Sequence, residues 1–181
     1  MKAFIIHGSN SGPEKIWFPW LKKYLEKNGI KTIVPRFPTP DNHNLEIWME
    51  IFEKYYHSLD EETILIGHGV GCPFILSVLE KIESKVKACF FVAAFYQKLN
   101  IPSYRKINNP FVEKEFMWKK IKQHCNEFIL LYSDDDPYIT TDQPDELQEK
   151  LNGTLVFIQE AGHFDDIEEL PQLLERIIEL K

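Results

Sequence analysis

At 181 residues, 44% apolar and 27% charged, the chain has the length and composition of one folded domain with a real core, which excludes a disordered polymer. The formal net charge is −7, and the lysines are scattered as solvated helix faces (Lys22 and Lys23, Lys119 and Lys120), so no basic stripe exists for a nucleic acid. Three cysteines, Cys72, Cys89 and Cys125, cannot all pair and form no C-x-x-C unit, so reduced thiols in a cytoplasmic protein are expected.

The N-terminus enters an apolar run at once, without the pattern of a signal peptide, and no run approaches the ~18–20 residues of a membrane span. Runs at 3–6, 32–34, 63–66, Val86–Val92, 128–132 and 155–158 are short and rich in Ile, Val, Leu and Phe. Such runs suit strands buried on both faces of a parallel sheet. Between them, helical periodicity predicts helices over 17–27, 45–57, 72–82, roughly 113–124, 143–151 and 171–180. Asn28-Gly29 and Asn152-Gly153 read as left-handed caps after the first and fifth helices. The alternation predicts a single α/β domain over 1–181 with a doubly wound, mostly parallel sheet. The irregular stretch 94–109, with Pro102 inside and Pro110 after it, is either a wall of the binding crevice at the strands' carboxyl ends or a plain surface loop. The aromatic cluster Trp17-Phe18-Pro19-Trp20 is read as core packing at a helix start.

The third long run leads into Gly67-His68-Gly69-Val70-Gly71 and then a helix with Pro73 near its start. Strand, sharp turn and helix form the setting of G-x-S-x-G, in which a serine nucleophile sits on a strained bend. The flanking glycines are needed where strand and helix approach too closely for a Cβ. Here Gly69 stands at the serine position, a residue that adopts positive φ freely and carries no Oγ. Cys72 is read as a small buried hydrophobe rather than a substitute nucleophile, His68 as a supporting residue, and Ser9 and Ser11 as remote substitutes.

After the run 128–132 come Ser133-Asp134-Asp135-Asp136-Pro137-Tyr138. Adjacent carboxylates converge poorly on one metal ion, so no metal is expected; one carboxylate here can instead orient a histidine. Asp136 is the first choice and Asp135 the second. Gly162-His163 follows the last run, which puts bend, acid and histidine in the chain order of an α/β-hydrolase. The glycine-bearing turn His7-Gly8-Ser9 after the first run can aim a backbone N–H at a developing oxyanion, with the Val70 N–H as partner.

Taken together, His7-Gly8, the segment 17–21, the segment 64–73, the segment 133–138 and Ala161-Gly162-His163-Phe164 make the chain resemble the small serine hydrolases of the retinoblastoma-binding protein 9 / YdeN-like family. The resemblance implies a minimal, lidless α/β-hydrolase fold and hydrolysis of small ester or amide substrates without a cofactor. It also implies the acid at Asp136, the base at His163 and oxyanion donors at Ser9 and Val70; charge and apolar run lengths separately predict no membrane or nucleic-acid partner. The nucleophile position falls on Gly69. Expected, therefore, is a chain inactive or nearly so: either a nucleophile-replaced variant of an active hydrolase, or a natural pseudoenzyme serving as a ligand- or protein-binding module.

Overall fold

The computed structural model describes residues 1–140 and 142–181. In chain order its elements are β1 (Lys2–Ile6), α1 (Phe18–Lys27), β2 (Lys31–Ile33), α2 (Leu45–Glu53), β3 (Thr63–His68), α3 (Gly71–Leu79) and β4 (Val86–Val92). They continue with α4 (Pro102–Asn108), α5 (Trp118–Gln123), β5 (Cys125–Tyr132), α6 (Asp142–Leu151), β6 (Thr154–Phe157) and α7 (Pro171–Glu179). The strands form one sheet in the order β2-β1-β3-β4-β5-β6, every neighbouring pair parallel. None of the described helices is long and apolar enough to cross a membrane.

Side-chain alternation along each strand sends successive residues into two separate apolar layers. Phe4, Leu65, Cys89, Phe91 and Leu130 pack against α2, α3, α5 and α6. Their neighbours Ile5, Ile64, Ile66, Phe90 and Leu131 pack against α1 and α7. Burial on both faces is why the strands read as continuous apolar runs. Helix α3 is buried along its whole length, as a helix pressed into the sheet centre must be.

Three segments depart from the periodicity reading. The helix expected over 113–124 begins only at Trp118. The buried carboxylate of Glu80 accepts the Met117 N–H at 2.6 Å and pairs with Lys114, and satisfying that buried charge holds 113–117 out of the helix. The helix from 45 ends at Glu53 and gives way to a 3-10 turn over Tyr56–Ser58. The irregular stretch contains α4, opened by Pro102 in its first turn, where the missing N–H costs nothing. The caps also differ in kind. Gly29 is left-handed (φ +75°), but at the second site Asn152 takes that conformation (φ +56°). Gly153 is required there for space, since a Cβ would lie 2.8 Å from Leu130 Cδ1 and 2.9 Å from the Phe128 carbonyl oxygen.

The crossing of β3 and α3 under the end of β1 is the tightest point of the fold. A Cβ on Gly71 would sit 2.5 Å from the Ile6 carbonyl oxygen, and one on Gly67 would sit 2.8 Å from the carbonyl of Gly71. Backbone, not a flexible side chain, blocks both positions. Gly71→Ala is therefore expected to cost about 2–3 kcal/mol, read as a lowered urea midpoint; an unchanged midpoint would mean that α3 is free to move away from β1.

Candidate active site

Gly69 closes the turn between β3 and α3 with φ +53°. Its N–H donates to the Val92 carbonyl at 3.0 Å, and its carbonyl accepts from Cys72 N at 3.0 Å, so the bend is pinned from both sides. A Cβ built on Gly69 lies 3.4 Å from His163 Nε2, and no other heavy atom beyond its chain neighbours comes within 4 Å. Any side chain here would point straight at the imidazole. Cys72, by contrast, turns its buried Sγ back to the carbonyls of Gly67 (3.3 Å) and Val92 (3.5 Å), and burial pushes its thiol pKa well up. It is a packed hydrophobe facing away from the bend, and an un-ionised thiol is a poor nucleophile.

Four consecutive side chains leaving β5 hold the loop that carries His163. Asp134 Oδ1 accepts the Glu160 N–H (3.0 Å), Ser133 Oγ the Ala161 N–H (2.9 Å) and Asp135 Oδ1 the Gly162 N–H (2.7 Å). Asp136 then takes the ring itself, with Oδ2 accepting from His163 Nδ1 at 2.9 Å. Its other oxygen accepts the Tyr138 and Ile139 amides at 2.8 and 3.0 Å. Of the two carboxylates considered, the geometry pairs Asp136 with the histidine and gives Asp135 to the backbone. Hydrogen bonds from Ser133 and the Gly162 amide hold the Asp135 carboxyl below its ordinary pKa. With Nδ1 donating to Asp136, Nε2 is left as the lone-pair nitrogen, facing the space above Gly69. Tyr138 packs its ring against the imidazole at 4.9 Å.

His68 supports the same loop. Its Nε2–H donates to the His163 carbonyl at 2.8 Å, while the ring is wedged against Trp17 and Phe18. Trp17 is wholly buried, and its Nε1–H donates to the Phe164 carbonyl at 3.0 Å. The cluster read as core packing thus also anchors the histidine loop. On the opposite side, the turn after β1 is fixed by His7, whose Nδ1 donates to the Gly8 carbonyl and whose Nε2 accepts the Phe37 amide. Ser9 Oγ bonds to Asn108 Oδ1 and lies 3.3 Å from His43 Nε2. The backbone N–H groups of Ser9 and Val70 have no acceptor among the described residues. Both residues line a cavity of about 310 Å³ that also contains Gly69 and His163. Phe95, Leu99 and Tyr104 wall its far side, so the stretch after β4 is a wall of the crevice rather than a plain loop. Sequence reasoning missed His43 and Lys15, also at the cavity or its turn, and singled out neither Tyr104 nor Asn108 within the stretch 94–109; none of them sits in a local motif.

Burial depresses three imidazoles here. His68 is pushed down to about 3, first by burial and then by the neighbouring His163. His43 falls to about 4 through burial and repulsion from His7, and His7 is lowered mainly by burial. Folding holds each toward its neutral form, whereas an unfolded ring titrates near about 6.5, so the unfolded chain takes up protons first as pH falls. Stability is therefore full above about pH 6.5 and is lost below it, at roughly 1.4 kcal/mol per pH unit for a fully buried ring such as His68. Urea melts at pH 7.5 and 5.0 are expected to differ by about 2 kcal/mol from His68 alone, with a shallower difference in His68→Gln. Equal stability at the two pH values would show that these rings are accessible to protons in the native state.

Comparison with known proteins identifies the family. The family model described as "Serine hydrolase" matches residues 3–178. YdeN of Bacillus subtilis (strain 168) is 30% identical over 165 residues, covering 90% of this chain and 85% of that protein. Serine hydrolase RBBP9 of Rattus norvegicus is 29% identical over 170 residues, covering 92% and 89%. The crystal structure of the ydeN gene product superposes with a TM-score of 0.92 at 28% identity, covering 99% of this chain and 97% of that one. The parallel sheet, the bend after β3 and a match over almost the whole length lead to one conclusion: this chain is an α/β-hydrolase that belongs to the serine hydrolase family.

Proposed function

We propose that the chain binds small ester or amide substrates in the cavity above Gly69 and, lacking a hydroxyl there, turns them over slowly or not at all: a nucleophile-replaced form of a hydrolase site. In this reading Asp136 orients the ring, His163 Nε2 is the general base, and the Ser9 and Val70 amides receive the oxyanion. A serine at position 69 would give up its proton to Nε2 while Oγ attacks the carbonyl; the imidazolium would return that proton to the leaving group, and water would release the acyl group by the same route. The reading needs neither metal nor cofactor, and it places the protein in the cytoplasm, where buried Cys72, Cys89 and Cys125 stay as thiols. The observation that carries it is the 3.4 Å between a Cβ on residue 69 and His163 Nε2, which brings a serine Oγ within hydrogen-bond reach of the base.

The test is Gly69→Ser assayed on p-nitrophenyl acetate and butyrate. Turnover should rise on the order of 10³-fold or more and collapse again when His163→Ala is added. A fluorophosphonate should label the serine variant and leave the glycine chain untouched. No gain in turnover or labelling from a folded Gly69→Ser protein sinks the reading.

The backbone favours a second reading, a binding module in which glycine is the settled residue. At φ +53° glycine is unstrained and any other side chain is not. If relief of strain is what glycine supplies, Gly69→Ser lowers stability by about 1–2 kcal/mol. A melting midpoint that holds or rises counts against this second reading.

A further inference from the structure

We infer that the open edge of β6 is a docking strand for an extended basic segment of a partner protein, which adds one strand to the sheet. Neither the cavity nor residue 69 takes part, so the hydrolase reading and this one fail independently. The sheet has two edges, β2 and β6. An edge strand presents unpaired N–H and C=O groups, and folded proteins blunt it with charge, proline or a covering group. The β2 edge is blunted in each way. Lys31 is exposed at its start, Pro35 follows shortly after its end, and Lys22 Nζ donates to the Thr32 carbonyl at 2.8 Å. The β6 edge is not. Thr154–Phe157 carries neither charge nor proline, and among the described residues no hydrogen bond reaches it beyond its ladder with β5.

The register tells which groups the edge offers. The Ile158 N–H donates to the Tyr132 carbonyl at 2.9 Å, so the backbone of residue 158 faces β5. Backbone groups of successive strand residues point to opposite sides, so Val156 also faces β5. The N–H and C=O of Leu155 and Phe157 therefore face outward, two residues apart, as a pairing strand requires. Phe157 adds a side chain that is 52% exposed; Met117 is the other large apolar side chain so exposed among the described residues. The Phe157 ring rests against Tyr132 with 5.4 Å between centres, which leaves its outer side for a cross-strand neighbour.

Charge selects the occupant. Residues 125–175 hold half of the chain's 28 carboxylates and a single Lys or Arg, Lys150. Its ammonium is taken up by the rings of Tyr96 and Trp118, each 5.5 Å away. Helix α6 packs against β6 and exposes Asp142, Asp145, Glu146 and Glu149, and Glu160 is exposed just beyond the strand. A second copy paired edge to edge would bring this acidic helix against itself, so like charges oppose self-association. A strand with lysine or arginine at alternate positions meets the same field with opposite sign. Its backbone takes the groups of Leu155 and Phe157, and its apolar residues cover the Phe157 ring.

The experiment adds three short peptides to the full chain and follows its backbone amides by NMR. One alternates lysine and valine, one alternates glutamate and valine, and one has proline in place of each valine of the first. The lysine–valine peptide should shift the Leu155 and Phe157 amides and slow their hydrogen exchange on the order of tenfold. The glutamate peptide, with the wrong charge, and the proline peptide, with the right charge but no strand, should do neither. Added salt should weaken the lysine–valine peptide. Phe157→Lys, which puts a like charge on the edge, should lower its affinity on the order of tenfold, while Met117→Lys leaves it unchanged. Asp145→Lys combined with Glu149→Lys should weaken it too. Unshifted Leu155 and Phe157 amides, or equal binding of the glutamate or proline peptide, overturns the inference. So does a dimer of the peptide-free chain that light scattering detects and Phe157→Lys dissolves, because the edge then belongs to a second copy.

Discussion

The loop after β5 and the loop after β6 leave adjacent parallel strands, and neither has internal backbone bonds sufficient to fix a side chain to within a fraction of an ångström. What fixes them is a row of four hydrogen bonds to consecutive side chains: Ser133, Asp134 and Asp135 take the amides of 161, 160 and 162, and Asp136 takes the ring of 163. The pairing of Tyr132 with Phe157 is the last rung of the ladder that brings these loops alongside each other. A histidine whose backbone is tied at three successive amides before it, and whose carbonyl is bonded by His68, has little freedom left except rotation of its ring. The carboxylate of Asp136 removes that as well. Position 163 is thus determined by the sheet register, and the site inherits its precision from the strands.

The same logic explains why three glycines around the bend do different jobs. Gly67 and Gly71 are steric requirements, because carbonyl oxygens stand where a Cβ would be. Gly69 is conformational: the space beside it is open, but φ is positive. Steric demands of the first kind need backbone to move, whereas a left-handed residue only carries local strain. A side chain at 69 thus meets strain without a clash, and its main consequence is chemical.

The parallel sheet was legible because burial on both faces removes any polar alternation, leaving bare apolar runs at regular spacing. The order of bend, carboxylate and histidine was legible because each follows the carboxyl end of a strand, where a parallel sheet collects its functional groups. The segment 113–117 was not, because its conformation is decided by Glu80, more than thirty residues earlier, and periodicity sees only neighbours. His43 escaped for the same reason, and Asn108 was covered only as part of the stretch 94–109. They meet Ser9 across 34 and 99 residues of chain, and neither sits in a pattern that announces a site. Asp136 could be preferred over Asp135 only by position. The structure separates them by what each oxygen touches, ring or amide.

Polar groups in this site are unusually well insulated. His43 lies against Trp48 and Phe111, His7 against Phe37 and Trp48, and His68 against Trp17 and Phe18. Burial holds these rings toward the neutral form, so they serve as fixed hydrogen-bonding struts. The division of labour is physical: imidazoles sealed among aromatics hold the loops, and the one imidazole paired with a carboxylate faces the cavity. Within that cavity the amides of Ser9 and Val70 respond to negative charge on oxygen, however that charge arises. Attack by a hydroxyl at position 69 would create it. Residue 69 decides whether the carbonyl meets that attack, because a side chain there is what stands next to Nε2.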